Sequence, residues 1–164
     1  MLPDLEMPYP LIEMQSGGEH VRFLCTEIIP EFRTPDAEQP ADFHCKFGIV
    51  YEGGGLSACF RCDITAGNVY AFYQALEKAY AALDPAVTAE LANYGTPDRT
   101  RLCVRFDKRG GCVLEGYVMS RESGYQSGVR FCLHTDQSPV TGSLHHMRHF
   151  FRTLAAAQGH PVFD

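Results

Sequence analysis

Cys59-Phe60-Arg61-Cys62 has the C-x-x-C spacing of redox and metal sites. A redox pair of this kind sits at a helix N-terminus, where the helix dipole lowers the thiol pKa. Here the pair falls inside an alternating, strand-like stretch, so its two cysteines should point to opposite faces. A zinc site of the double-pair type would need a second C-x-x-C, and the sequence has none. The second grouping is His145-His146-Met147-Arg148-His149. His145 and His149 share one helical face at zinc-ligand spacing, but His146 stands where a metalloprotease pattern requires its glutamate base. The expectation is a solvated basic helix face beside Arg148 and Arg152. The third is the polar set left over when the strands are read by alternation: His44, Lys46, Cys59, Arg61, Arg101, Cys103, Arg105, Arg130, Cys132 and His134. These define a basic face whose opposing acids would be Asp63 and Asp107. Guanidinium groups crowded there could give bidentate contacts to carboxylate or phosphate. The binding candidates are therefore Arg61, Arg101, Arg105, Arg130, His134 and His44. A Cys/His metal site across strands is a further formal reading.

Other chemistry is missing from the pattern. There is no G-x-G-x-x-G, no Walker loop, no G-x-S-x-G and no H-E-x-x-H. Gly53-Gly54-Gly55 lies between two strand patterns, so it reads as a turn and not as a phosphate cradle. No catalytic residue and no cofactor are assigned, and nothing in the sequence asks for an enzyme.

The elements that must carry these side chains follow from periodicity. Residues 1–20 contain Pro3, Pro8, Pro10 and Gly17-Gly18, which predicts an irregular lead-in. Val21 to Ile28 is strand-like, and residues 31–40 read as an acidic loop. Phe43, Cys45, Phe47, Ile49 and Tyr51 alternate with polar residues up to the glycine turn. Leu56, Ala58, Phe60, Cys62 and Ile64 alternate after it, a hairpin signal. Val69, Phe72, Tyr73, Leu76, Tyr80 and Leu83 then recur at helical spacing, with Thr65 or Asn68 as cap. Strands follow over 87–94, 102–106, 112–119 and 128–135. A last helix opens at Ser138-Pro139, carries Leu144, Met147, Phe151 and Leu154, and stops at Gly159 and Pro161. The expected fold is one α+β domain over 1–164, with an antiparallel sheet of six to seven strands and two helices on one face. Its body, 42–164, is ordered β-β-α-β-β-β-β-α behind a lead-in over 1–41.

Charge is uneven along the chain. Of a net −6, residues 1–42 hold nine acids against Arg22 and Arg33, net −7, and residues 43–164 are net +1. An acidic total argues against nucleic-acid binding. No apolar run approaches the roughly 20 residues of a membrane span, and residues 1–20 lack the basic start of a secretory leader. Seven cysteines, an odd number in a chain large enough for its own core, are read as reduced, which places the protein in the cytoplasm. The acidic first quarter is expected to cover the basic face, so that deleting residues 1–40 would expose it.

Several stretches resemble the WapI-type immunity proteins of bacterial toxin systems. They are Asp42 leading into a strand, Leu56-Ser57-Ala58-Cys59-Phe60 feeding the helix around Phe72 and Leu76, Leu102 to Phe106, Gly116-Tyr117-Val118, Val129-Arg130-Phe131 and Thr135-Asp136-Gln137-Ser138. The resemblance spans about residues 42–157. The chain departs from it at Phe43, where such proteins often carry tryptophan, and at Pro139-Val140, where they carry an aromatic and a leucine. The resemblance implies a cytoplasmic binder that blocks a cognate toxin, with no catalytic residues to transfer. An acidic surplus would suit a basic toxin surface. The expected function is protein binding, toxin immunity being its concrete form. The alternative is a small-ligand or anion-binding protein, or a weak enzyme, using the basic face.

Overall fold

A computed structural model describes residues 5–29, 44–93, 99–122 and 125–158. The expected stop at Gly159 and Pro161 lies outside these residues, as does the whole of the 31–40 loop with its flanks. The fold is α+β, with two antiparallel four-stranded sheets and two helices. Strands β1 (Tyr9–Ser16), β2 (Glu19–Ile29), β3 (His44–Gly53) and β4 (Leu56–Cys62) form the first sheet in sequence order. Helix α1 (Ala66–Ala82) follows. Strands β5 (Thr88–Asn93), β6 (Arg99–Phe106), β7 (Gly111–Glu122) and β8 (Tyr125–Asp136) form the second sheet, also in order, and helix α2 (Ser138–Gln158) closes the described chain.

The body order is the expected one, but the described residues hold eight strands, and they divide into two sheets. The break has a simple cause. Each sheet pairs its strands antiparallel in sequence order, and α1 stands in the chain between the last strand of the first sheet and the first strand of the second. The added strand, β1, corrects the expectation of an irregular lead-in. Pro10 is tolerated because β1 pairs only with β2, and an edge position asks for no ladder donor on its open side. Gly17 and Gly18, at φ +58° and +81°, make the turn to β2.

The architecture is thus ββββα written twice. A trace of this repeat is visible where each last strand enters its helix: Cys59-Phe60-Arg61-Cys62-Asp63-Ile64-Thr65 against Cys132-Leu133-His134-Thr135-Asp136-Gln137-Ser138. Thr65 caps α1 as expected: its hydroxyl accepts the Asn68 N–H at 3.1 Å, and Asn68 Oδ1 accepts the Thr65 N–H at 3.3 Å, a reciprocal capping box. The second helix is already under way at Ser138, one residue before the expected start, with Asp136 Oδ1 accepting the Ser138 N–H at 2.8 Å.

Both sheets and both helices feed one hydrophobic cluster. Phe47, Val104 and Phe131 are buried in it and Phe60 packs against it, so the alternation assigned to these strands holds. Tyr51 of the first sheet stacks on Phe131 of the second, with centroids 6.3 Å apart. Helix α1 lies against β5 and α2 against β1, so each half's helix packs on the other half's first strand. At the second contact the buried Ser143 hydroxyl accepts the Glu13 backbone N–H at 3.3 Å and donates to the Pro139 carbonyl at 3.1 Å. The open edge of β1 therefore meets a helix instead of water.

Candidate functional site

The outward-facing side chains of the second sheet form a grid, because register fixes which of them sit side by side. One row runs Ala92, Arg101, Tyr117, Arg130 from β5 to β8. The next runs Glu90, Cys103, Glu115, Cys132, and the third Thr88, Arg105, Val113, His134. Glu115 therefore lies between rows of cations. Its Oε1 receives Arg105 Nη1 at 3.1 Å and Arg101 Nη1 at 3.7 Å, while Arg101 Nη2 reaches Glu90 Oε2 at 3.1 Å. The Arg130 guanidinium lies over the Tyr117 ring, 5.8 Å from its centroid.

Of the predicted binding residues, Arg101, Arg105, Arg130 and His134 come together on this face. Arg61 and His44 do not, since they belong to β4 and β3 of the other sheet. The expectation that acids would be scarce is corrected: Glu90 and Glu115 are the opposing carboxylates, not Asp63 and Asp107. Asp107 is occupied by the β6–β7 turn, where it accepts the Arg109 and Gly111 N–H groups at 2.7 and 2.9 Å. Those donors hold its carboxyl below the usual value near 3.8. Alternation could have found Glu115 and Tyr117, because both fall on the polar phase of the 112–119 strand.

The acidic first quarter does not act as a flap in its described part. Residues 9–29 are two strands of the first sheet, and their acids pair within it: Glu13 with His20 at 2.9 Å, and Glu27 with Lys46. Glu52 of β3 adds an ion pair to Arg22 at 3.6 Å. One acid of that quarter does reach the second sheet. Glu19 accepts a hydrogen bond from the Tyr51 hydroxyl at 2.7 Å and lines a cleft with Arg101, Glu115, Tyr117, Arg130 and Cys132. The cleft has a volume of about 360 Å³.

The other two sequence candidates separate as their spacing implied. Cys59 is exposed and Cys62 buried, on opposite faces of β4. His145 and His149 are exposed, whereas His146 packs edge-on to Tyr9 at 6.1 Å. Among the described residues, no three His, Cys, Asp or Glu side chains are placed to hold a metal ion. Three of the less exposed thiols are held protonated. Burial, with Asp136 nearby, pushes Cys112 up to about 12, burial raises Cys103, and a hydrogen bond with Cys25 raises Cys45.

Between the helices, Tyr73 Oη donates to Glu77 Oε1 at 2.6 Å, and Arg148 reaches both, at 3.2 and 2.8 Å. This network ties α1 to α2. None of the described helices is long and apolar enough to cross a membrane. No protein-family model matches the chain, and no curated protein does so significantly.

Proposed function

We propose that the protein is a non-enzymatic binder of another protein, with the outer face of the second sheet as its contact surface. Neutralisation of a cognate bacterial toxin is the concrete form of this reading. The observation that carries it is the Arg130 guanidinium over the Tyr117 ring, two residues that both line the cleft. Tyrosine and arginine are the residues that dominate binding energy at protein interfaces. This cation–π contact restrains the guanidinium before a partner arrives, which reduces the ordering cost of association. Around it, Arg101 and Arg105 are compensated by Glu90 and Glu115, so the face presents patterned charge of both signs. Such a pattern selects a complementary partner and rejects a mismatched one.

The test is affinity capture from the native cell with wild type and Arg130→Glu side by side, read by mass spectrometry. A partner held by the wild type and lost from the variant supports the reading. A captured toxin whose activity the wild type suppresses, and the variant does not, supports the immunity form. Equal capture by both proteins would refute this face as the contact surface. A second reading, small-anion binding, is favoured by the proximity of Arg130 to the cleft. Saturable shifts of cleft resonances on titration with inorganic phosphate would support it.

A further inference from the structure

Two of the cysteines are exposed, Cys59 on β4 and Cys132 on β8, and they occupy matching places in the two halves. They differ in what stands two residues on: Arg61 follows Cys59, and His134 follows Cys132. The Cys132 thiol lies 3.6 Å from His134 Nε2, within hydrogen-bond reach for sulfur. The strand beneath this pair is fixed, because the Ser16 hydroxyl of β1 donates to the His134 carbonyl. Cys132 also lines the cleft that Arg101, Tyr117 and Arg130 border. The site therefore combines a thiol, an adjacent base, a cavity and a guanidinium for an anion.

We propose that Cys132 is a nucleophilic thiol, deprotonated by His134, that forms a mixed disulfide with a carboxylate-bearing low-molecular-weight disulfide seated on Arg130. His134 Nε2 takes the thiol proton, and Cys132 Sγ attacks one sulfur of the incoming disulfide. The new S–S bond forms as the old one breaks, and the departing thiolate takes the proton from His134. The exchange needs no other oxidant, since one disulfide is consumed and one is made. The charged groups around the thiol are Arg130 and His134 on β8 and Arg101 at the cleft wall. Glu115, opposite on β7, is paired with Arg101 and Arg105, and Glu19 of β2 accepts from Tyr51. A thiol modified here would carry its adduct into the cleft.

The experiment treats the reduced full chain with oxidised glutathione near neutral pH and follows each cysteine by peptide mass spectrometry. Cys59 serves as the internal reference. Cys132 is expected to react about tenfold faster than Cys59, and His134→Gln to bring it down to the Cys59 rate. Arg130→Ala is expected to slow oxidised glutathione several-fold while leaving the uncharged hydroxyethyl disulfide unaffected. These side chains are exposed, so the variants should retain the wild-type circular dichroism. Equal rates at Cys59 and Cys132, or an unchanged rate in His134→Gln, would overturn the activated thiol. Equal slowing of both reagents by Arg130→Ala would overturn the carboxylate seat.

Discussion

Replacing Glu115 with glutamine removes one negative charge from the middle of the grid and changes little else. The Glu115 side chain is 29% exposed and those of Arg101 and Arg105 are 28% and 41% exposed, so both bridges are partly screened by water. Pairs of this kind are each worth about 0.2–1 kcal/mol. Both guanidinium groups approach the same carboxylate oxygen, at 3.7 and 3.1 Å. Their mutual repulsion is the same with and without the carboxylate charge, so the loss is that of the two bridges, about 0.4–2 kcal/mol. For 164 residues, an unfolding entropy near 2.1 cal/mol/K per residue converts this to a Tm loss of about 1–6 °C. Differential scanning calorimetry at about 0.01 M and at 1 M salt checks it, because the Debye length shrinks from about 30 Å to about 3 Å between them. The loss should be complete at low salt and less than half as large at high salt. An unchanged Tm at low salt would refute the compensation argument, as would the same fall at both concentrations.

Gly116→Ala should cost about 3 kcal/mol, because an added Cβ would stand 2.1 Å from the Arg101 carbonyl oxygen, a backbone atom with no room to give; urea unfolding measures it. Ser143→Ala leaves the Glu13 N–H without its acceptor and should lower stability by about 1–2 kcal/mol in the same assay. Asp107→Ala should destabilise the protein at pH 7 but not at about pH 2. The folded carboxyl titrates lower than the unfolded one, so its contribution is present above the unfolded pKa and vanishes as pH falls through the folded value. Thermal melts of both proteins across that range check the convergence.

Both helices and the β3–β4 hairpin were readable from periodicity, since Phe47, Ile49 and Tyr51 alternate without interruption and Phe72 and Leu76 keep a helical phase. Strand β1 was not, because Pro8 and Pro10 imitate a loop and only an edge position with a helix beside it makes them acceptable. The division into two sheets was also hidden. Alternation reports which way a side chain points and is silent about which strand lies next to it. For the same reason four of the six candidate binding residues share a face while Arg61 and His44 stand on another sheet. Glu115 entered the arginine cluster only through register, with Tyr117 opposite Arg101 and Glu115 opposite Cys103.

The crossed packing of the helices bears on how the chain could be divided. A cut in the short segment after Leu83 would leave a first fragment whose α1 had lost β5, and a second whose α2 had lost β1. Each piece would carry a bare apolar stripe that only the other can cover. The two should therefore recombine when mixed, as interlocking partners, and neither should persist alone.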